Sequence, residues 1–369
     1  MSPDPAARFV QAMVSAAGDE SGAVAMARGF GLGGFVARHL GVEHLAVRAE
    51  RLALRLHNTL LREVAAEASN ALSACDVPHF VGKGVAFIGD LYQPGDREAA
   101  DLDLWIHPDA VAPACDALRV LGYREAPGDL QSGPASLRPG ALWYRGATAS
   151  LDAVSLDLHW GMVPVTRILP RVGAPLPADV WQCLDRSGPF PVPDPGHHAA
   201  LLIHHLVHHD LLHVRGLLDL ALLWHRGLET DRLVQLARHL NIWRAARAIG
   251  VTLARDLAVR NAELPAPPAD WRGRRLADLV CLDRWLTCVA QAPDRDHAEM
   301  TPRRLVRRAM VLDRARDIPG LLADAVWPPA EHLRWRWPGA RTLAAARWQH
   351  ARHVLGKLRR NAAMTGDDG

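Results

Sequence analysis

The stretch VGKGVAFIGDLYQPGDREAADLDLWIHP, residues 81–108, and the shorter SLDLHW at residues 155–160 decide how this chain folds. A short apolar run ends at the turn Gly82-Lys83-Gly84, which predicts a strand that leads into a helix. The segment REAADLDLWIHP predicts a second strand, because apolar and polar residues alternate along it. SLDLHW alternates in the same way and predicts a further strand.

Two carboxylates flank a leucine in the second strand, and a third carboxylate lies in a similar setting further along the chain. Because side chains alternate between the faces of a strand, Asp101 and Asp103 share one face while Leu102 and Leu104 share the other. Asp157 is likewise expected on the polar face of its strand. Carboxylates this close repel one another unless a cation lies between them. Such oxygen ligands suit Mg²⁺, and three carboxylates can hold two ions.

The glycine turn is the second feature with a chemical meaning. A glycine turn that opens a helix offers backbone N–H groups to phosphate, and Lys83 adds a positive charge there. The chain contains 43 lysines and arginines, and all except Lys83 and Lys357 are arginine. Keeping a lysine between Gly82 and Gly84 favours a need for a compact ammonium group; chance placement is the alternative.

These motifs together resemble a known family. The chain is similar, over about residues 77–160, to the bacterial uncharacterised nucleotidyltransferases, a branch of the DNA polymerase beta-like superfamily. The residues that carry the resemblance are Lys83-Gly84, Leu91-Tyr92, Arg97, Asp101-Leu102-Asp103-Leu104, Leu121-Gly122-Tyr123 and Asp157-Leu158-His159-Trp160. The likeness extends more loosely to a histidine-bearing helix and the Leu-x-Asp segment after it.

The resemblance implies an enzyme that transfers a nucleoside monophosphate from a nucleoside triphosphate such as ATP to an acceptor, with two Mg²⁺ ions. Asp101 and Asp103 would ligate both ions, while Asp157 would bind the catalytic ion and help the acceptor hydroxyl to lose its proton. Residues expected to contact the nucleotide or its phosphates are Gly82, Lys83, Gly84, Arg97, His159, His205 and His209. One departure is that most of the superfamily has Gly-Ser in the phosphate turn, where this chain has Lys-Gly.

The acceptor expected from the resemblance is a small molecule or a peptide. Two alternatives remain open at this point. One is a catalytically inactive module of the same fold that binds a nucleotide or a partner, and the other is an RNA-directed nucleotidyltransferase.

A cluster of histidines follows the predicted sheet. Several of its members lie four residues apart, which places pairs on one helix face: His197, His198, His204, His205, His208, His209 and His213. The cluster contains no HExxH motif, so we expect core or surface histidines and no structural zinc, with His205, His209 or Arg215 reaching a phosphate as the intermediate hypothesis. Asp219, in the apolar helix that follows, needs a partner, for which Arg215 one turn earlier is the local candidate.

The last third of the chain is rich in arginine, interleaved with Trp335, Trp337 and Trp348. Arginines and aromatic side chains can hold RNA phosphates and stacked bases. Because Asp313, Asp317 and other acidic residues are mixed in, we favour solvated helical faces with the tryptophans in the core, and do not favour a nucleic acid partner.

The fold class expected is α+β, with a small nucleotidyltransferase-type mixed sheet between helical regions. We divide the chain into a helical N-terminal region at 1–75, an α/β core at 76–190 and a helical C-terminal region at 191–369. Glycines at 29–34 are expected to form a helix–helix turn, Asp109 to cap a helix and Gly122 to end it. Proline-marked joints are expected at 265–270 and 327–332.

Composition fits a globular protein in a reducing compartment. The chain is 49% hydrophobic and 22% charged, which is typical of a folded chain with a sizeable core. Its five cysteines contain no CxxC pair, and no apolar run reaches the roughly 18–20 residues that a membrane span needs. With no secretory pattern at the N-terminus, we expect a cytoplasmic protein that does not associate with membranes.

Overall fold

The computed structural model describes residues 4–126, 139–145, 154–163, 165, 175–209, 211, 213–260, 262, 264, 272, 276, 280–283, 286 and 302–364. The sequence also predicts a turn at 146–148 and a helix at 273–290. The turn, most of that helix and the proline joint predicted at 265–270 lie outside the described residues.

Four helices precede the sheet: α1 (Pro5–Ala17), α2 (Glu20–Arg28), α3 (Gly33–Leu40) and α4 (Leu45–Ala74). The side chain of Asp4 caps α1 by accepting a hydrogen bond from the Ala6 amide, and α1 ends at a left-handed glycine. A turn between α2 and α3 is present as the sequence predicts, but it covers residues 29–32, because Gly33 and Gly34 already belong to α3. The N-terminal region is therefore helical.

A mixed five-stranded sheet follows, with the strand order β1-β2-β5-β4-β3. Its strands are β1 (His79–Gly82), β2 (Leu102–Ile106), β3 (Arg124–Glu125), β4 (Gly140–Arg145) and β5 (Val154–His159). β2 and β5 are parallel, and every other pair is antiparallel. The α+β class with a mixed sheet and helical termini is confirmed.

One face of this sheet is packed and the other is polar. Leu102, Leu104, Leu156 and Leu158 are fully buried in a cluster that contains apolar residues of α4 and α6, and α6 spans Val111–Val120. Because strand side chains alternate, the residues between these leucines point to the opposite face. That polar face carries the candidate site.

Local details differ from the sequence predictions around the glycine turn and the start of β2. The helix after the turn, α5 (Lys83–Phe87), has only five residues, because Gly89 at φ +86° turns the chain and the Phe87 carbonyl accepts from the amides of Leu91 and Tyr92. Asp101 precedes β2 and is not part of it. The prediction that places Asp101 and Asp103 within one strand is therefore corrected by one residue.

The predicted cap of α6 is also wrong, while its predicted end is right. Asp109 lies in a 3-10 turn, Pro108–Ala110, where the side chain of His107 accepts from the Asp109 amide. The α-helix begins two residues later without a side-chain cap. Gly122 ends the helical segment at φ +84°, a backbone conformation that glycine adopts at little cost.

The C-terminal region is again helical. A short helix and hairpin, α7 (Ala178–Gln182), β6 (Leu184–Asp185) and β7 (Val192–Pro193), lead into it. The helices that follow are α8 (Pro195–His208), α9 (Val214–His225), α10 (Thr230–His239), α11 (Trp243–Asp256), α12 (Pro302–Val311), α13 (Ile318–Val326), α14 (Ala330–Arg336) and α15 (Leu343–Met364). The proline joint at 327–332 separates α13 from α14, as predicted.

Apolar residues of α1, α8, α9 and α11 share one hydrophobic cluster, which also includes Phe80 and Trp105 of the sheet. The cluster therefore runs through all three predicted regions, and their division into domains stays a prediction. None of the described helices combines the length and apolar character that spanning a bilayer requires.

The expectation that the late tryptophans lie in the core is wrong for Trp348, which is 60% exposed. The guanidinium of Arg352 lies 4.5 Å from the Trp348 ring centre, so the two side chains cover each other at the surface.

Candidate functional site

The register of the sheet places two carboxylates side by side. Asp103 of β2 is directly opposite Asp157 of β5, and Gly82 of β1 is opposite Asp103 on the other side. Asp103 is buried, with 3% of its surface exposed, whereas the Asp157 side chain is 39% exposed. The polar face of the sheet therefore presents a glycine and two carboxylates in one row.

Asp101 lies one residue before β2 and interacts with this row through its charge. Burial, followed by the neighbouring charge of Asp103, raises the pKa of Asp101 to about 6. The positive charge of Lys83 opposes both effects without cancelling them. Asp101 and the two carboxylates of the row thus carry more negative charge than Lys83 compensates.

Lys83 points into the carboxylate row. Its Nζ donates a hydrogen bond to Asp103 Oδ1 at 2.6 Å, and its backbone N–H donates to His198 Nε2 at 2.9 Å. Lys83 has φ +48°, in the left-handed region that side chains other than glycine rarely adopt. Burial opposes the charge of Lys83, but Asp103, Asp101 and Asp157 raise its pKa above the ordinary value.

His159 of β5 completes the group. Its Nε2 lies 3.0 Å from Asp103 Oδ1 and 3.7 Å from Asp157 Oδ2, and its ring stacks on Trp105 at 4.5 Å. Contact with two acceptor oxygens favours the tautomer with the proton on Nε2. Although burial favours the neutral carboxyl, Lys83 and His159 hold the pKa of Asp103 well below its usual range.

The geometry favours a cation site that differs in one ligand from the predicted set. Ligand atoms of Asp103, Asp157 and His159 all lie within 4.8 Å of one another, and within the described part of the chain this is the group that meets that distance. Asp101 is not in the group, and His159, expected to contact phosphate, is. Two carboxylate oxygens and one imidazole nitrogen form a donor set that fits a divalent cation when His159 carries its proton on Nδ1 and leaves Nε2 free.

Arg97 forms hydrogen bonds with the carboxylate of Asp219, for which the sequence predicts Arg215 as the partner. Its Nε and NH2 donate to the two oxygens of Asp219 at 2.8 and 2.7 Å, and the Tyr92 hydroxyl donates to the same carboxylate at 2.8 Å. Arg215 donates to the Glu98 carbonyl, so the expected Arg215–Asp219 pair is wrong. Local spacing favoured Arg215, whereas the actual partner comes from a loop far away in sequence.

This pair bears on the predicted phosphate contact of Arg97. The residue is 4% exposed, and its third nitrogen donates to the Glu98 carbonyl at 3.0 Å. A phosphate contact would require the guanidinium to leave Asp219. The phosphate contact of Arg97 therefore stays a prediction. In the structure, Arg97 connects the loop before β2 to α9 through its hydrogen bonds to Asp219.

Gly82 and Gly84 lie where larger residues would meet neighbours. A Cβ at Gly82 would approach the Trp105 indole nitrogen at 3.2 Å, and one at Gly84 would approach Arg97 NH1 at 3.0 Å. Their absent side chains bring the turn close to the sheet and the Arg97 loop. Phosphate binding by their backbone stays a prediction, because α5 has a single turn and the Lys83 N–H is already bonded.

A cleft of about 450 Å³ lies between the polar face of the sheet and α8. Lys83, Asp157 and His159 line one wall, and His205 lines the other. Apolar side chains complete the lining, namely Trp105, Leu142, Met162 and Leu201. The cleft thus offers charge at one end and apolar surface along its sides, which is typical of a ligand pocket.

The histidines at the end of α8 and just beyond it, His204, His205, His208, His209 and His213, form two groups. His205 and His209 stack with ring centres 4.3 Å apart, and His213 lies against both. Burial, followed by the charge of Lys83, holds the pKa of His205 well below its usual range, so its imidazole is neutral at pH 7. His205 lines the cleft, as the hypothesis of a phosphate-contacting histidine requires. The phosphate contact itself and the expected lack of structural zinc stay predictions.

The second group fixes the far wall of the cleft. His204 and His208 both direct Nε2 to the Val163 carbonyl, at 2.8 and 3.2 Å, and Arg308 of α12 lies 3.2 Å from His208 Nδ1. Sequence reasoning missed the contact of Arg308, and it gave His198 only as a member of the histidine cluster, without its contact beneath the Lys83 turn. In both contacts the partners lie about a hundred residues apart.

One of the comparisons with known proteins identifies the family of this chain. Residues 38–258 match the family model described as uncharacterised nucleotidyltransferase, which covers more than half of the chain. No curated protein and no solved structure gave a match. The matched range includes the whole carboxylate row, the glycine turn and α8, and the chain belongs to the uncharacterised nucleotidyltransferase family.

Proposed function

We propose that this protein transfers a nucleoside monophosphate from a nucleoside triphosphate to a small-molecule or peptide acceptor, with Mg²⁺ at the carboxylate row. The observation that carries the proposal is the pairing of Asp103 with Asp157 across parallel strands, in contact with Lys83 and His159, at the base of a cleft. Family membership supports nucleotidyl transfer as the reaction class.

A bound divalent cation would supply positive charge to the triphosphate and lower the pKa of an acceptor hydroxyl. Asp103 and Asp157 would hold the cation, and His159 would bind it or orient Asp103. The pKa of Asp101, raised to about 6, shows that its negative charge is unfavourable in the metal-free site. A nearby cation would stabilise this charge, so Asp101 supports the same site electrostatically.

The reaction would be a displacement at the α-phosphorus. The acceptor oxygen forms a bond to that phosphorus, the bond to the bridging oxygen breaks, and pyrophosphate leaves with the electron pair. The acceptor proton would pass towards Asp157, which is the carboxylate of the row most open to the cleft. Lys83 would stabilise the negative charge that develops on the phosphate oxygens.

The apolar part of the cleft supports binding of a flat or apolar group beside the reacting phosphate. Trp105 lies behind the His159 ring and borders the cleft, while Leu142 and Met162 form its sides. Neutral His205 can donate or accept a hydrogen bond there without adding charge. This surface suits the nucleobase or the acceptor.

The proposal is tested by pyrophosphate release. The purified protein is incubated with Mg²⁺, each of the four nucleoside triphosphates and pooled small-molecule or peptide acceptors, and labelled products are separated. We expect acceptor-dependent pyrophosphate from at least one triphosphate, abolished by chelation and by the double substitution Asp103→Asn and Asp157→Asn.

The alternatives give different outcomes in the same assay. Metal-dependent triphosphate binding without pyrophosphate release, whatever the acceptor, would indicate a non-catalytic module. Transfer that requires RNA, with binding that weakens steeply as salt increases, would indicate the RNA-directed enzyme. Arg308 of the C-terminal region contacts His208 in the cleft wall. Its replacement would then be expected to weaken binding of both the RNA and the triphosphate.

A further inference from the structure

We propose that Lys83 replaces one of the two metal ions expected at this site, so that the protein–nucleotide complex holds a single divalent cation. This inference rests on the proposed function and specifies its cofactor requirement. The sequence resemblance predicts two ions, and the proposal assigns one of their charges to an ammonium group that belongs to the chain.

The first support is the occupancy of Asp103 Oδ1. Lys83 Nζ lies 2.6 Å from this oxygen and His159 Nε2 lies 3.0 Å from it. A carboxylate that bridges two ions commonly gives one oxygen to each ion. Lys83 already holds the Oδ1 oxygen of Asp103, which leaves Oδ2 for a single cation.

The second support is the position of the ammonium group among three carboxylates. Lys83 Nζ contacts Asp103, Asp157 is opposite Asp103 in the sheet, and Asp101 lies two residues before Asp103. A positive charge that the chain itself holds there attracts the carboxylates as a second cation would.

The third support is that the backbone from which the ammonium group extends is held in position. The Lys83 N–H donates to His198 Nε2. His198 is 4% exposed, and its ring stacks on Phe87 with centres 4.5 Å apart. Burial lowers the pKa of His198 to about 4, so its imidazole remains a neutral acceptor at physiological pH. Lys83 keeps φ +48° in this arrangement. Strained backbone of this kind persists where the surroundings impose it, often at functional sites.

The lysine is also chemically specific. An ammonium group is a compact point charge with three donors, and it can sit between carboxylates much as a small cation does. A guanidinium is planar and directs its donors along a fixed fork. This difference explains a lysine here in a chain whose other cationic residues, except Lys357, are all arginine.

The test counts bound ions. Mn²⁺ is titrated into protein saturated with a nucleoside triphosphate analogue whose α–β bridge resists cleavage, and free Mn²⁺ is measured by electron paramagnetic resonance. We expect one bound Mn²⁺ per chain in the wild type and two in Lys83→Met. The matched control is Lys357→Met, on α15, which is expected to bind one ion like the wild type.

Each outcome is decisive. Two ions in the wild type, or one in both the wild type and Lys83→Met, would overturn the replacement by Lys83 while leaving a metal-dependent site intact. No bound Mn²⁺ in the wild type would overturn the proposed function itself. The wild-type count decides even when Lys83→Met proves too unstable to purify.

Discussion

The guanidinium of Arg97, in the loop before β2, forms a two-point contact with the carboxylate of Asp219 on α9. Arg97 and Asp219 are both buried, with 4% and 1% of their surfaces exposed. This pair joins the loop that leads into β2, the strand of Asp103, to α9, the helix that follows α8. It therefore connects the stability of the fold to the position of the strand that carries Asp103.

Substitution of Asp219 by asparagine is expected to lower the free energy of unfolding by roughly 3–5 kcal/mol, because it leaves a buried arginine without its counter-charge. Chemical denaturation measures the loss. The matched control is Asp90→Asn, which removes an exposed pair with Arg226 and is expected to cost less than about 1 kcal/mol. Equal losses in the two variants would contradict a structural role for the buried pair.

Asp101→Asn is expected to stabilise the metal-free protein at pH 8 but not below pH 4. The folded-state pKa of about 6 lies above the ordinary 3.8, so the folded state holds this proton more tightly than the unfolded chain. The free energy of unfolding of the wild type therefore falls as pH rises through this interval, by on the order of 1–3 kcal/mol. Asparagine cannot ionise and avoids the loss.

Thermal melting at pH 4 and pH 8, with Asp116→Asn as an exposed control, measures this effect. Saturating Mg²⁺ should remove the advantage of Asp101→Asn, because the cation then stabilises the wild type. If Asp101→Asn raises the melting temperature equally at both pH values, or lowers it at pH 8, the fold does not oppose ionisation of Asp101.

The sequence allows the carboxylate row to be predicted but not its surroundings. Strand alternation is a local rule, so it places Asp103 and Asp157 on polar faces next to buried leucines without knowledge of the fold. Hydrogen bonds between distant segments have no such rule. Asp219 was matched to Arg215 because helical spacing is the only local guide, while its partner Arg97 is 122 residues away.

Lys83 illustrates the same limit. Its isolation among arginines indicates a functional lysine, and the glycines beside it indicate a turn, but neither feature reveals a contact with Asp103. The left-handed backbone of Lys83 donates its N–H to His198, which lies 115 residues further along the chain. The sequence therefore identifies the residue, and the structure gives its partner.

Lys83→Arg is expected to weaken triphosphate binding roughly 10- to 150-fold although it keeps the positive charge, which corresponds to about 1.5–3 kcal/mol for a charged hydrogen bond. The broader guanidinium does not fit between Asp103 and the turn. Calorimetric titration of the wild type, Lys83→Arg and Lys83→Ala measures the change. Wild-type affinity for Lys83→Arg with impaired Lys83→Ala would mean that only charge matters, and wild-type affinity for both would remove Lys83 from the site.

The most direct test of the central claim is whether the carboxylate row binds a triphosphate through a divalent cation. Binding of a non-cleavable nucleoside triphosphate analogue is measured with Mn²⁺ and with chelator, for the wild type and for the double variant Asp103→Asn, Asp157→Asn. We predict binding that requires Mn²⁺ and weakens at least about 100-fold in the double variant, a loss of two charged contacts. Equal affinity in the two proteins, or binding that chelation does not affect, would contradict it.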